Sequence, residues 1–417
     1  MDENQGEVER LSRLLLESDD EVARLHATVS LLMARVAELE ELLTRSSKNS
    51  SLPPCAEGFA KPPVMPNRAA RHRRPGKQPG DQGHCLERVE SLDHIVTHVP
   101  QRWASCDHDL SHAEVVKDEV RQVFDLPEVR AVVTGHRVKT RRCSCGGTTS
   151  SSFAPKAIGP TCYGPGVRAL LTCLVVAQHL PIERASDVFT ECCGINVSSG
   201  FATSLLAEAT HGPEGFVATT REVFATSPAL HLDETGARVA GRLGWVHSAS
   251  TTTLTSYLFH RRRGRVTIDE FAVLANDRGL AVHDGWTPSR RYDATHQLCN
   301  AHHLRDLRAA AEDGEKGRAS RTTAANLIHR LDVYRDGVLR CTSDVSSPFT
   351  NNSAERDLRM VKLPQKISGC YRSEVGATNY LTIRSYVSTA RKQRVNVLGA
   401  LRSLFEGPPF MPGVSQA

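Results

Sequence analysis

The stretch Leu230-His231-Leu232-Asp233-Glu234-Thr235-Gly236 is an apolar run that ends on carboxylates, and it reads as a short strand delivering Asp233 at its end. Outward from it, Gly244-Trp245-Val246-His247-Ser248-Ala249 and Thr253-Leu254-Thr255-Ser256-Tyr257-Leu258-Phe259-His260 are rich in β-branched and aromatic residues and predict a hairpin. Residues 266–274 read as a helix. Gly279-Leu280-Ala281-Val282-His283-Asp284-Gly285 then reads as a second buried strand with an aspartate at its end. Further on, Thr350-Asn351-Asn352-Ser353-Ala354-Glu355-Arg356-Asp357-Leu358-Arg359 opens a helix, with Asn351 or Asn352 as its cap and Glu355 near its first turn.

The order β-β-β-α-β-α places Asp233 and Asp284 at ends of neighbouring strands in a ribonuclease-H-like sheet. Taken singly, each aspartate also has a plain reading as a cap or a surface residue. Taken with Glu355, the three carboxylates are hard oxygen ligands suited to two Mg²⁺ (or Mn²⁺) ions. Such a pair activates a water or a 3′-hydroxyl and stabilises the leaving oxygen of a phosphodiester. A basic tail follows Glu355 with few acids between: Arg356, Arg359, Lys362, Lys366, Arg372, Arg384, Arg391 and Lys392. That is the positive wall that phosphates need.

The 417 residues are 40% hydrophobic and 24% charged, which fits several folded domains rather than a disordered chain. The net charge of +5 is unevenly placed. A Pro/Gly/Ser linker over residues 47–84 carries Lys61, Arg68, Arg71, Arg73, Arg74 and Lys77. It reads as a phosphate-contacting arm, with a solvated tether as the alternative. No apolar run reaches the roughly 20 residues a membrane span needs. The acidic Met1-Asp2-Glu3-Asn4 lacks the order of a secretory signal. Twelve cysteines, some adjacent, suit free thiols or a metal in a reducing compartment. The expected location is the bacterial cytoplasm, associated with the nucleoid.

Residues 1–46 carry a heptad. Leu15, Val22, Val29, Val36 and Leu43 occupy one position and Leu11, Leu25, Leu32 and Leu39 the other, with Ser18 breaking the row. Val at a and Leu at d favour a parallel two-stranded coiled coil; the alternative is a helix folded back on its own chain. Residues 85–160 alternate in short runs such as Arg130-Ala131-Val132-Val133 and His136-Arg137-Val138, and read as a small β module. Cys143-Ser144-Cys145-Gly146-Gly147 has zinc-knuckle turn chemistry, and Cys106 with His108 could complete a Zn²⁺ site; a reduced, metal-free module is the other reading. Residues 161–225 read as helices (167–180, 181–192 and 201–209), resembling a DNA-reading helix-turn-helix or an ordinary packed pair. His296, Cys299 and His303 fall at i, i+3 and i+7 and could share a helix face as metal ligands. The stronger reading has Cys299, His302 and Arg305 supporting the sheet or contacting phosphate.

Several blocks closely resemble the insertion-sequence-66 family of bacterial transposases. They are His231-Leu232-Asp233-Glu234-Thr235, Val282-His283-Asp284-Gly285-Trp286, Leu298-Cys299-Asn300-Ala301-His302-His303-Leu304-Arg305 and the Asn351–Arg359 block quoted above. Lys366-Ile367-Ser368-Gly369-Cys370-Tyr371-Arg372 and Ile383-Arg384-Ser385-Tyr386-Val387-Ser388-Thr389-Ala390-Arg391-Lys392 belong to the same set, in the same order. The resemblance extends to the coiled coil, Ser47-Lys48-Asn49-Ser50-Ser51, the linker and the zinc-binding module. It implies a multidomain α+β protein: coiled coil, zinc-knuckle-like module, helical segment and a ribonuclease-H-like catalytic domain over 226–311 and 327–406, with a tail over 407–417. The implied activity is a DDE transposase, in which Asp233, Asp284 and Glu355 form the metal-binding triad for Mg-dependent cleavage and strand transfer. Its partners would be double-stranded DNA (terminal inverted repeats and target) and further copies of the chain. Two departures stand out. Trp103 replaces the first cysteine of the module, and only 71 residues separate Asp284 from Glu355, so an insertion is shortened over 312–326. An active shortened enzyme and a relic that only binds DNA and self-associates both follow from that. A general ribonuclease-H-like nuclease fits the triad and leaves the N-terminal modules unexplained.

Overall fold

A computed structural model describes residues 2–44, 86–155, 157–274, 279–315 and 321–413. The chain divides into two compact units, residues 65–132 and residues 1–64 with 133–417. Among its described residues, 86–132, the first has little regular structure. Val89 exchanges hydrogen bonds with the Gln122 side chain, and a bridge joins Arg102 to Asp109 around the turn at Cys106. The expected strand at Arg130-Ala131-Val132-Val133 does not form, and Val132 and Val133 stand exposed. A short alternating run with no partner strand cannot pair its backbone groups, so the pattern alone does not make a strand.

In the second unit α1 (Asp2–Thr44) comes first. Val22, Leu25, Val29, Leu32, Val36 and Leu39 of its heptad stripe are exposed. A hairpin of β1 (Thr140–Arg142) and β2 (Thr148–Ser150) follows. Four helices come next: α2 (Pro165–Thr172), which continues as a π-helical turn to Ala177, α3 (Ile182–Cys193), α4 (Ser199–Glu208) and α5 (Glu214–Ala225). Helix α3 ends on Gly194 at φ 65°, a left-handed conformation that glycine adopts without steric cost. Ser198 caps α4 by accepting from the Phe201 amide.

The main sheet has the spatial order β5-β4-β3-β6-β7. It is built from β3 (Ala229–Val239), β4 (Arg242–Ser250), β5 (Thr255–His260), β6 (Leu280–His283) and β7 (Thr295–Leu298), with α6 (Arg265–Phe271) between β5 and β6. The three long strands are antiparallel, and β6 and β7 run parallel to β3. The two-residue turn between β3 and β4 has Ala240 at φ 50° and Gly241 at φ 73°, the positive pair that suits the twist of a tight hairpin. Strand β3 does not end near Asp233, as its sequence implies, but runs on to Val239 and pairs with Tyr371 there. Gly236 belongs to the strand, facing Trp245 across the ladder, with space around it that is already tight against Leu243.

Helices α7 (Asn300–Glu315), α8 (Arg321–Val333), α9 (Arg335–Ser343), α10 (Asn352–Ser368), α11 (Glu374–Lys392) and α12 (Val397–Glu406) complete the unit. The alternation of β3 divides its side chains between two faces. Leu230 and Leu232 pack with Phe224, Phe271 and Ile268 of α5 and α6. Ala237 and Val239, with Val246, Tyr257 and Phe259, pack against Leu358 and Val361 of α10 and against α11. Helix α11 is buried on nearly every side, as Tyr380, Leu381, Ile383, Tyr386 and Val387 show. Residues of α2, α4 and α12 share this core, so the helices of 161–225 are continuous with the sheet domain.

Candidate functional site

Asp233 lies within β3, on the face that also carries His231 and Ala237 and that receives α10. Glu234 points to the opposite face by strand alternation. Asp284 follows β6 directly, and its Oδ1 accepts from the Trp286 amide at 2.9 Å. Glu355 sits in the first turn of α10.

That first turn is tied to β3 through Asn351, which is 1% exposed. Its Nδ2 donates to the Leu232 carbonyl at 2.7 Å, its Oδ1 meets His231 Nδ1 at 3.0 Å, and its amide donates to Cys299 Sγ at 3.1 Å. The Asn351 side chain therefore does not cap α10 in the ordinary way, as its sequence position predicts; it spends its amide group on the strand. Two residues after Glu355, Asp357 Oδ2 accepts from Ser250 (2.7 Å), Thr255 (3.0 Å) and Lys392 (2.7 Å). Lys392 Nζ also donates to the Ser250 hydroxyl and to the carbonyls of Thr251 and Leu254. The start of α10 is thus bolted to both β3 and β4.

The turn that carries Asp284 is held by a histidine relay. The Gly285 amide can only donate, so His283 Nδ1 accepts and its Nε2–H donates to His296 Nδ1 at 3.1 Å. His296 Nε2–H in turn meets the Tyr292 carbonyl. Burial first, then the neighbouring His296 and Arg290, pushes His283 down to about 3, so the ring stays neutral. Gly285 sits at φ 91°, where a side chain would be strained.

Burial, then the charges of Glu234, Asp284 and Glu355, holds Asp233 well above the usual carboxylate range. Glu234 is pushed up to about 7 by burial and by Asp284, against the pull of Arg263. The charges of Glu234, Asp284 and Glu355 thus reach Asp233, where little water screens them. Glu355 Oε1 is buried with no hydrogen-bond partner, as is His302 Nδ1, 3.8 Å away. A buried carboxylate oxygen without a donor, whose charge reaches a second carboxylate at Asp233, is an environment that a divalent cation fits. Arg305 lies 3.6 Å from Glu355 Oε2. Among the described residues, the group whose ligand atoms all lie within 4.8 Å of one another is Cys299, His302 and Glu355; the Asp233, Asp284 and Glu355 set is looser. His296 lies in β7, Cys299 in the link after it and His303 in α7, so these three do not share a helix face.

The model of the transposase IS66 family matches residues 160–331 and 312–379. The chain belongs to the IS66 transposase family. The two matches overlap at 312–331. Residues 1–87 match a separate family of unknown function, DUF6444. A comparison with curated proteins gives no match.

Within this family member the basic tail divides. Arg356, Arg359, Lys366, Arg372 and Arg391 are exposed and Lys362 is half-buried. Arg391 also donates to the Ala177 carbonyl at 3.2 Å. Arg384 is buried and donates to the Val176 carbonyl, and Lys392 is committed to Asp357, so these two do not belong to a phosphate-facing wall. Arg71, Arg73, Arg74 and Lys77 lie outside the described residues. Cys106 and His108 belong to one unit and Cys143 and Cys145 to the other, and all four are exposed. Each pair sits in a tight turn, closed by Trp103 N–H to the His108 carbonyl (2.9 Å) and by Cys143 N–H to the Gly147 carbonyl (2.7 Å).

Sequence reasoning misses one further cluster. Arg263 lies between Trp245 and Trp286, 4.5 and 4.6 Å from their ring centres, and its Nε donates to Glu234 at 3.1 Å. It joins β3, β4 and the Asp284 turn in one stack. The tryptophan after Asp284-Gly285 was the visible signal, but nothing in the sequence pairs it with Arg263.

Proposed function

We propose that the chain is a DDE transposase that cuts and rejoins DNA at the ends of its element, working on a ribonuclease-H-like sheet. The supporting observation is topological: Asp233 lies on the central strand, Asp284 closes the adjacent parallel strand, and Glu355 opens a helix fastened to that central strand through Asn351. Asp233, Asp284 and Glu355 would hold Mg²⁺ (or Mn²⁺). The ions, when bound, lower the pKa of an attacking water and neutralise charge on the phosphodiester. The protein's own part is positioning. Asn351 and Asp357 set Glu355, the His283–His296 relay sets Asp284, and β3 carries Asp233 between them. The nucleophile is water at the element end, then the freed 3′-hydroxyl at target DNA; no serine or tyrosine intermediate is required.

Arg356, Arg359, Lys362, Lys366, Arg372 and Arg391, with Arg71, Arg73, Arg74 and Lys77 of the linker, would contact phosphates. Each lost contact should reduce the slope of log affinity against log salt by about 0.9. The exposed stripe of α1 supports a coiled-coil dimer. The test is joining of a 3′-hydroxyl element end into target DNA. Asp233→Ala and Glu355→Ala should abolish joining and leave end binding within about twofold. Joining that survives either substitution would refute the assignment.

A further inference from the structure

We propose that Cys299, His302 and Glu355 form a Zn²⁺ site that competes with the hard-metal carboxylate set for Glu355. Three kinds of ligand converge here, a sulfur, an imidazole nitrogen and a carboxylate oxygen, all within 4.8 Å of one another. This is a borderline-soft donor set that Zn²⁺ takes and that Mg²⁺ avoids. With metal–ligand bonds of about 2.0–2.3 Å, ligand atoms around one tetrahedral zinc stand roughly 3.3–3.7 Å apart. His302 Nδ1 and Glu355 Oε1, at 3.8 Å, are already near that separation. They are too far apart to hydrogen-bond to each other, and both atoms are buried without another partner.

Cys299 Sγ is held from the other side by the Asn351 amide, which donates to it at 3.1 Å, while the His302 amide donates to the Cys299 carbonyl. Burial raises the Cys299 thiol above its ordinary range despite the Asn351 amide, so a bound zinc would itself have to displace the thiol proton, which passes to solvent. The His302 and Glu355 side chains keep 25% and 14% of their exposure, which leaves the ion an approach and a fourth coordination position for water. Binding rests on these three residues alone. The competition rests on the proposed role of Glu355, since one carboxylate cannot serve both sites fully.

The full-length chain carrying Cys106→Ser, Cys143→Ser and Cys145→Ser, titrated with Co²⁺ as the probe, separates these points. The expected result is one equivalent bound, with a near-ultraviolet thiolate-to-cobalt charge-transfer band that Zn²⁺ displaces. Cys299→Ser should remove the band. His302→Gln, at a more open position where misfolding is less of a concern, should weaken binding more than about tenfold. Asp284→Ala should keep the band. No band at stoichiometric Co²⁺, or a band indifferent to Cys299→Ser and His302→Gln, would overturn the site. In Mg²⁺-driven cleavage, one equivalent of Zn²⁺ should slow the reaction at least tenfold, with recovery on chelation. Cobalt binding by the cysteine criterion with unchanged cleavage in Zn²⁺ would uphold the site and overturn the competition.

Discussion

Asn351→Ala removes one buried side chain and leaves the carboxylates untouched, so it asks whether the fastening of α10 to β3 sets the site. The substitution takes away the donor to the Leu232 carbonyl (2.7 Å) and the partner of His231 Nδ1 (3.0 Å). A buried polar group left without a partner costs about 1–3 kcal/mol, so two of them destabilise the domain by roughly 2–6 kcal/mol. Glu355 loses the link that fixes its distance from Asp233, and a misplacement of about 1 Å can cost on the order of a hundredfold in rate. Urea denaturation followed by circular dichroism measures the first effect. Single-turnover cleavage at saturating DNA measures the second. Asn351→Asp keeps the shape but cannot donate to Leu232, so it should behave like the alanine variant. A loss below about 1 kcal/mol together with unchanged cleavage would refute the reasoning.

Lys392→Met leaves Asp357 charged and unpaired in a nearly closed setting and should cost about 3–5 kcal/mol; its salt dependence of DNA binding should match wild type, because Lys392 faces Asp357 and not phosphate. Glu234 yields a pH prediction. Its folded pKa, raised to about 7 from an ordinary 4.5, means that its stabilising protonated state is fully present below about 4.5 and is lost as pH rises to about 7. Metal-free wild type should therefore lose about 3 kcal/mol across that window relative to Glu234→Gln, measured by denaturation at each pH; parallel curves for the two proteins would contradict this. On α1, Val29→Asp with Leu32→Asp places charge in the exposed stripe and should turn a dimer into a monomer by sedimentation.

The hairpin of β4 and β5 and the buried strand β6 were legible because their apolar patterns match the strand period and turn residues bound them. Strand β7 was not: Thr295-His296-Gln297-Leu298 is four residues without alternation, and only its parallel pairing with β6 makes it a strand. The end of β3 was misplaced because Gly236 reads locally as a breaker, while the cross-strand ladder carries the strand past it. The carboxylates were visible as residue types, though Asp233 lies within its strand and not at its end. Their supports were not, since Asn351 and Asp357 act across more than a hundred residues of sequence. Charge in the tail was equally visible, but burial was not. Arg384 and Lys392 look like Arg356 and Arg359 in sequence and differ only in what α11 packs against.

The most direct test of the central claim is single-turnover cleavage and joining of a labelled element-end DNA by purified protein in Mg²⁺, beside Asp284→Ala. The account predicts Mg²⁺-dependent products from the intact chain, their loss in Asp284→Ala, and equal binding by both. End binding with no products from either protein would contradict it.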